Sequence, residues 1–323
     1  MLDFFHASLS SLAEELVSPQ KRIFIGYLLV AFAIAIIFIT HRYRHKMTAS
    51  QRIRYVFSSK VWLSHSSRAD MKLWLINRLV FGNLILRFLT KTAVATAVYF
   101  WLLEILGSTQ APLENTPAWL ASLIFTLLLF ILDDYGRFWV HRLLHKVPML
   151  WEFHKVHHSA EVLTPITVFR THPVEGLLFS LVGILVQGAV VGGAIGIFGG
   201  QVSLATIIGA NIFSFTFHLV GSNLRHSHIP IRYPRVVEYW FISPAQHQIH
   251  HSLAKRHYNK NFGVTFACWD RWHNSFHLSE KTRIHFGLRP GENSLEHGLF
   301  SLWLMPFRRA MSNKSAFTKT IKW

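Results

Sequence analysis

The sequence has few acidic residues and almost no thiols. It contains 16 Asp and Glu against 33 Lys and Arg, and its one cysteine is Cys268. A single thiol excludes an internal disulfide, a CxxC zinc site and a four-thiolate iron–sulfur cluster. Any bound metal ion must therefore be held by nitrogen or oxygen atoms.

Charged residues of both signs make up only 15% of the 323 residues, whereas hydrophobic residues make up 51%. This composition excludes a disordered chain, and the net charge of +17 is unusually basic for a cytosolic enzyme. An early uncharged run, Ile23 to Ile39, has 17 residues. About 20 apolar residues cross the hydrocarbon core of a bilayer, so we expect a first membrane span here.

Two helical hairpins are predicted further along the chain. Thr92–Leu106 and Trp119–Leu132 are apolar stretches joined by a turn-rich connection. The 49 positions 176–224 contain no Asp, Glu, Lys or Arg, and a Gly-Gly pair interrupts them. Because this stretch is too long for one crossing, we predict a second pair of spans at about 176–198 and 201–220.

The distribution of basic residues predicts the orientation of these spans. No Lys or Arg lies between Lys91 and Arg137 or between Arg170 and Arg225, so both hairpin tips are placed outside. Five spans, with the N-terminus outside and the C-terminus in the cytoplasm, satisfy every segment. The positive charge then reflects topology and contact with anionic lipid, and nucleic-acid binding is disfavoured because no recognised motif is present.

The 21 histidines are the most informative residues, because eight of them fall in three short motifs. HRLLH at 141–145 has the i, i+4 spacing that places two imidazoles on one face of a helix. HKVHH at 154–158 and HQIHH at 247–251 share an i, i+3, i+4 spacing. Neither contains the HExxH of zinc peptidases, and the chain has no Glu-x-x-His pair of the carboxylate di-iron bundles.

The number of histidines predicts two metal ions. Eight imidazoles, with His226 of an RHSH motif as a ninth, exceed the roughly four to six ligands of one first-row ion. A helix that begins at Pro117 after a Thr116 cap reaches His141 after about 36 Å, which exceeds the ~30 Å hydrocarbon core. HRLLH therefore lies at the cytoplasmic mouth, where Asp134 is a possible carboxylate partner of the ligands. The predicted metal ligands are His141, His145, His154, His157, His158, His226, His247, His250 and His251.

The remaining histidines have more ordinary interpretations. The sequence leaves open whether His172 in THPVE and His228 bind a metal or have another role. His218 is interpreted as a helix-end residue that interacts favourably with the helix dipole. The solitary histidines are interpreted as solvated or interfacial: His6, His41, His45, His65, His257, His273, His277, His285 and His297.

Imidazole binds iron, copper, zinc and nickel, so the ligand type alone does not select the metal. A multi-metal site at the mouth of a membrane bundle can receive a lipid chain from the bilayer and a reductant from the cytoplasm. Iron with open positions is the usual means of activating O₂ against an inert C–H bond. We therefore expect a lipid C–H hydroxylase, with a desaturase using the same site as the alternative. A histidine-lined metal transporter is disfavoured because the spans contain almost no acids apart from Glu104.

Taken in order, the motifs resemble those of the fatty acid hydroxylase/sterol desaturase superfamily over about 134–288. They are HRLLH, WEFHKVHH, THPVE, RHSH, SPAQHQIHH and KNFGVTFACWDRWHNSF. Members are integral membrane oxygenases whose histidine-bound di-iron centre uses O₂ and two electrons to hydroxylate or desaturate lipids. The resemblance implies that the eight clustered histidines bind iron, that His226 matches a further family histidine, and that His172 and Glu175 bind or support the metal.

The chain departs from the family pattern at two places. It has His228 where many members have Asn, and His273 and Asn274 where many have an aromatic residue and glycine. No HPGG haem motif is present, so the resemblance implies a separate electron donor, a ferredoxin- or cytochrome-type protein with its reductase. It implies as substrate a polar or amino-acid-containing acyl lipid, a sterol or hopanoid-like polycycle, a carotenoid or an alkyl glycerol ether.

The expected fold class is an all-α integral membrane protein with two transmembrane helical hairpins, an extra N-terminal span and a cytoplasmic histidine-rich helical cap that holds a di-metal site. The basic segment at 41–91 contains a stretch at 73–89 that is typical of an interfacial helix, although a simple connector fits equally well. Without organelle-retention signals, a bacterial inner membrane is the expected location. The predicted divisions are a tail (1–22), the first span (23–40), a basic cytoplasmic or interfacial segment (41–91), a fatty acid hydroxylase-like catalytic domain (92–288) and a basic C-terminal tail (289–323).

Overall fold

The computed structural model describes residue 10 and residues 13–81, 90–200, 202–207, 210–288 and 297–312. The rest of the two predicted tails and the end of the predicted interfacial stretch, residues 82–89, lie outside the described residues. The described α-helices, numbered in chain order, are α1 (Ile25–Arg42), α2 (Ala49–Val56), α3 (Ser59–Trp62), α4 (His65–Phe81), α5 (Lys91–Leu106), α6 (Ala118–Lys146), α7 (Pro148–His158), α8 (Pro173–Phe198), α9 (Ile212–Leu219), α10 (Arg235–Glu238), α11 (Pro244–His250), α12 (Cys268–Trp272) and α13 (Leu299–Ser312).

Smaller elements connect these helices. Residues 13–17 are also helical. Short 3₁₀ helices cover Pro165–Phe169, Ser222–Leu224 and Lys255–His257. Two-residue antiparallel strands, β1 (Thr206–Ile207) and β2 (Ala210–Asn211), pair between α8 and α9. The protein is thus almost wholly helical over the described residues, as expected.

Three helices are long and apolar enough to cross a membrane, namely α1, α6 and α8. The first of these confirms a helical segment at the uncharged run Ile23 to Ile39. Helix α6 begins at Ala118, with Pro117 rather than Thr116 at the N-cap, and continues for 29 residues through HRLLH. Helix α5 has 16 residues and therefore a length of about 24 Å, shorter than the predicted span requires.

The prediction of a continuous span at 201–220 is wrong. The described part of this segment contains β1, β2 and only the eight-residue helix α9, which is about 12 Å long. The Asn211 side chain accepts hydrogen bonds from the backbone N–H groups of Phe213 and Ser214, and it starts the helix late. These local bonds favour a turn before α9, which the apolar composition does not reveal.

Close packing of small residues holds α5 and α8 together. A Cβ atom at Gly188 would lie 2.6 Å from Val94 Cβ, and one at Gly192 would collide with the backbone carbonyl of Ala95. On the other side of α8, the Gln187 amide donates to Asp133 of α6 at 2.7 Å. Helices α5 and α6 therefore both pack on α8, and glycine permits the closer of the two approaches.

The N-terminal end of α1 lies beside the histidine motifs. The Asn223 side chain, three residues before His226, donates to the carbonyl of Arg22 at 3.0 Å. Ala35 of α1 belongs to one buried cluster with Leu224. The five-span arrangement placed Arg22 outside and the histidines in the cytoplasm. The hydrogen bond between Asn223 and Arg22 is not compatible with that orientation of the first span. The positive-inside rule counts charges and does not detect the packing of α1 on the segment that carries His226.

Helices on both sides of the predicted catalytic domain cover the histidine motifs. Leu73 of α4 and Leu302 of α13 share a buried cluster with Val156 of α7. Phe307 of α13 packs edge-to-face against Phe153, also on α7. Parts of the predicted basic segment and of the predicted C-terminal tail are therefore packed against the helix that carries HKVHH.

The packing of α5 on α8 can be tested with two adjacent glycines. Gly192→Ala should lower the free energy of unfolding by about 1–3 kcal/mol, because the added methyl group meets the Ala95 carbonyl. Gly193→Ala is the matched control, since a Cβ atom there meets nothing within 4 Å. Thermal unfolding in detergent measures both, and equal effects of the two substitutions would contradict this packing.

Candidate metal centre

Local sequence signals position each histidine motif. HRLLH occupies the last turns of α6, and Pro148 at the first position of α7 starts the helix that carries HKVHH. Ser243 and Gln246 form a reciprocal capping box that begins α11 just before HQIHH. His226 lies in irregular chain after the 3₁₀ helix Ser222–Leu224. Four separate elements therefore bring their histidines to one end of the bundle.

The nine predicted ligands come together in two groups. Within each group the candidate ligand nitrogens all lie within 4.8 Å of one another. The five-histidine group consists of His141, His145, His154, His158 and His250, and the four-histidine group consists of His157, His226, His247 and His251. Eight of the nine are buried and His145 is partly buried. Each group can hold one metal ion.

Each HxxHH motif divides its histidines between the two groups. In α7, His154 and His158 belong to the five-histidine group and His157 to the four-histidine group. In HQIHH the division is reversed, and the middle histidine, His250, joins the five-histidine group. Successive helical residues differ by about 100° in direction, so adjacent histidines face different ions whereas the i, i+4 pair faces the same one. Each HxxHH motif therefore supplies candidate ligands to both groups.

Backbone carbonyls orient the imidazoles. A ring whose Nδ1 donates outward presents Nε2 to the interior of its group, which is the usual arrangement of histidine ligands. The three pairs are His141 with the Phe262 carbonyl (2.7 Å), His157 with that of Arg170 (3.3 Å) and His250 with that of Lys260 (2.9 Å). These acceptors lie outside the histidine motifs, and no sequence signal identified them.

The inward nitrogens lack ordinary partners. His226 Nε2 lies 2.9 Å from His247 Nε2 and 3.2 Å from His157 Nε2, and one proton cannot satisfy all three atoms. Among the described residues, the buried nitrogens without a hydrogen-bond partner include Nε2 of His145, His154, His158 and His250 and both nitrogens of His251. Each orphaned buried group costs about 1–3 kcal/mol. A metal ion in each group would satisfy these atoms, so the residues fit a nitrogen-ligated two-metal centre.

The protonation state agrees with this interpretation. Burial lowers the pKa of His157 to about 3. Burial, reinforced by the neighbouring histidines, also holds the pKa of His226 and of His247 well below the usual range. The imidazoles are therefore neutral near pH 7, and their lone pairs are available to a cation.

The two residues of THPVE differ in role. Glu175 Oε1 lies 3.1 Å from His154 Nδ1, both side chains are buried, and the carboxylate orients a histidine of the five-histidine group. His172 lies outside both groups. Its Nδ1 accepts from the Val174 N–H at 3.1 Å and its Nε2 donates to the Trp303 carbonyl at 3.0 Å. His172 therefore caps α8 with both nitrogens occupied.

Asp134 does not contact the histidines directly. Its carboxylate accepts hydrogen bonds from the backbone N–H of Thr265 at 2.9 Å, that of Phe266 at 3.2 Å and the indole N–H of Trp269 at 2.8 Å. These donors compensate the buried Asp134 carboxylate, and its role as a possible carboxylate partner of the ligands stays a prediction. Asp134 instead fixes the loop that begins at Phe262, whose carbonyl accepts from His141.

The other open residues also lie outside both groups. His228 donates through Nε2 to the carbonyl of Tyr55 at 3.0 Å, and His218 Nδ1 lies 2.7 Å from the Ser222 hydroxyl. At the second family departure, Asn274 has a φ of 57°. Asparagine tolerates this left-handed conformation, so it can replace glycine there.

One cluster was missed from the sequence. His257 is buried rather than solvated, and with His277 and Glu280 it forms a third group of possible ligand atoms. Arg256 Nη2 lies 2.6 Å from Glu280 and holds the pKa of this carboxyl at about 2. Arg256 therefore already neutralises the Glu280 carboxylate. A lone Glu distant in sequence gives no signal of this contact.

The chain has three helices long and apolar enough to cross a membrane and two histidine groups that could each hold a metal ion. These features are typical of a membrane metalloprotein. Residues 126–275 match the family model described as fatty acid hydroxylase, and this segment contains all nine histidines. Through this segment the chain is similar to the fatty acid hydroxylase family, and the resemblance seen in the motifs is confirmed.

Curated relatives agree with this assignment. The chain is 24% identical to human alkylglycerol monooxygenase over 73% of its own length and 48% of the relative. It is 27% identical to an ornithine lipid hydroxylase of Rhizobium tropici over 46% of this chain and 40% of that one. It is 28% identical to human lathosterol oxidase over 55% and 54%. The chain spans about half the length of the curated relatives it matches, and no solved structure matches it.

The histidine grouping predicts which substitutions release metal. His157→Ala removes one of four nitrogens and should lower bound metal to about half or less, with the protein still inserted. His257→Ala should leave the metal content near normal, because its ring belongs to the Arg256–Glu280 cluster. Elemental analysis of purified protein tests both, and a large loss in the His257 variant would contradict the grouping.

The loop fixed by Asp134 makes a separate prediction. Asp134→Ala leaves three hydrogen-bond donors without an acceptor. It should lower the free energy of unfolding by about 3 kcal/mol or more. Because His141 depends on the Phe262 carbonyl, metal affinity should fall as well. Asp134→Asn, which keeps one acceptor oxygen, should be milder in both measurements. Equal metal affinity in the Ala variant and the parent would show that the loop does not position His141.

Proposed function

We propose that this protein is a membrane-bound, non-haem di-iron oxygenase that hydroxylates a C–H bond of a lipid with O₂ and two electrons. The observation that carries the proposal is the convergence of nine largely unpartnered imidazoles, eight of them buried, in two adjacent groups. The family match and the names of the relatives, which include a monooxygenase and a lipid hydroxylase, support the same chemistry.

The five-histidine group would hold one iron ion and the four-histidine group the other. Bound iron with an open coordination position supplies the O₂ activation that an unactivated C–H bond requires. All-nitrogen ligation without thiolate is suited to iron, although other first-row metals also accept imidazole. The identity of the metal as iron is therefore part of the proposal, and metal analysis tests it.

The protein's own residues prepare this site. The carbonyls of Phe262, Arg170 and Lys260 fix the direction of three ligands, and Glu175 Oε1 lies 3.1 Å from Nδ1 of His154. The Phe262 ring packs against His145, which limits water around the five-histidine group. These contacts preorganise the ligand rings of the site.

A recess lined by histidines of both groups suggests where electrons arrive. It measures about 20 Å³ and is bordered by His145, His158, His250 and His251, with Tyr258 at its wall. This volume holds about one water molecule and not a lipid chain. We assign this face to the separate electron donor, a ferredoxin- or cytochrome-type protein with its reductase. The lipid would then approach from another side.

The proposed location is a bacterial inner membrane, with the centre and the C-terminus in the cytoplasm. The absence of Lys and Arg from 92–136 and 171–224 supports this orientation. Within the chain, 92–288 would form the catalytic domain and 23–40 an apolar membrane helix. Protease protection of a C-terminal tag in intact spheroplasts supports the orientation, and cleavage from the outside contradicts it.

The function is tested by metal analysis joined to lipid mass spectrometry. Protein purified from iron-supplemented cells should contain two iron ions per chain. Membranes of cells that carry the gene should contain a lipid 16 Da heavier than its counterpart in cells that lack it. A loss of 2 Da instead would assign desaturation at the same site. A chain with neither iron nor a changed lipid would contradict the oxygenase proposal.

A further inference from the structure

A second, larger cavity lies on the bundle side of the metal centre. It measures about 510 Å³ and is enclosed by α6, α8, α9 and the chain that precedes α1. Its walls combine cationic side chains, Arg22 and Arg137, with apolar ones that include Leu129, Phe130 and Phe217. A cavity that is charged in one part and apolar in another suits an amphipathic ligand.

The acids in this cavity are already occupied. Asp133 accepts from Arg137 Nε at 2.7 Å and from the Gln187 amide at 2.7 Å. Asp134 accepts three hydrogen bonds from the loop at 265–269. Neither carboxylate is therefore left for Arg22.

Arg22 is the uncompensated charge. Its Nε and Nη2 atoms are inaccessible to solvent and have no hydrogen-bond partner among the described residues. Asn223 holds the backbone at this point by its bond to the Arg22 carbonyl. A guanidinium kept in such a place without an acceptor is costly, and an anion that contacts this guanidinium from the cavity would reduce that cost.

The cavity borders the metal centre. Arg137 lies one helical turn, about 6 Å along the axis, before His141 of the five-histidine group. Asn223, which fixes Arg22, is three residues before His226 of the four-histidine group. A ligand that fills this space therefore has its charged part close to the proposed irons.

We propose that Arg22 binds the anionic headgroup, a phosphate or a carboxylate, of the lipid that this protein oxidises. The lipid chain would lie along Phe130 and Phe217, and the carbon presented to the centre would be near the polar end of the molecule. This inference rests on the proposed function and narrows its substrate to lipids with an anionic group. Sterols and carotenoids, which lack such a group, are excluded by it.

The test is ligand-dependent thermal unfolding of the full chain in neutral detergent. Dioleoylphosphatidylglycerol should raise the melting temperature of the parent protein, whereas dioleoylglycerol, with the same chains and no phosphate, should not. Arg22→Met should weaken the response to the phospholipid by about tenfold or more in apparent affinity. Arg22→Lys, which keeps the charge, should retain part of the response. Arg54→Met, at an exposed site on α2, is the matched control and should behave as the parent.

The same variants distinguish ligand binding from a structural role. Without lipid, Arg22→Met should be as stable as the parent or more stable, because an unpaired buried charge is removed. Equal responses to the two lipids, or an undiminished response in Arg22→Met, would overturn the proposal. An equal shift from inorganic phosphate alone would overturn its lipid part. Since this readout needs no turnover, an Arg22-dependent shift in protein that binds no iron would contradict the proposed function and leave the anion site standing.

Discussion

The structure depends on one unfavourable arrangement, the convergence of nine imidazoles, eight of them buried, whose nitrogens face one another. Within the four-histidine group, Nε2 atoms of different residues approach to 2.9 Å and 3.2 Å. Burial keeps these rings neutral, so neither charge nor a full set of hydrogen bonds offsets the loss of water. A metal ion bound in each group would couple to the folding of this end of the protein, because the surrounding helices hold the candidate ligands in place.

The rest of the fold can be understood as support for that centre. Glu175 orients one ligand from the first turn of α8, and Asp134 orients another through the loop at 262–269. Arg170, fully buried and paired with Asp70 of α4 at 2.9 Å, offers its carbonyl to His157. The Asp134 carboxylate and the Asp70–Arg170 pair are thus compensated within the apolar bundle. Arg22 differs from them because its uncompensated guanidinium lies where a ligand would enter.

The sequence was sufficient to predict the ligand candidates and the helical class. Histidine spacing selects helix faces, so all nine candidates came together, and uncharged runs identify apolar helices. The division of each HxxHH motif between two groups was not predicted, because it depends on how α7 and α11 face each other. The broken segment before α9 and the position of α1 were mispredicted, since hydropathy does not detect an Asn cap or a tertiary contact. His257 and Glu280 were missed because their partners are distant in sequence.

The central claim is that two metal ions occupy these two groups and that both are iron. Anomalous diffraction from crystals of iron-loaded protein, collected on both sides of the iron absorption edge, tests it most directly. The account predicts two peaks specific to iron, one surrounded by His141, His145, His154, His158 and His250 and the other by His157, His226, His247 and His251. A single peak, or a peak at His257 and Glu280 with none in these groups, would contradict it.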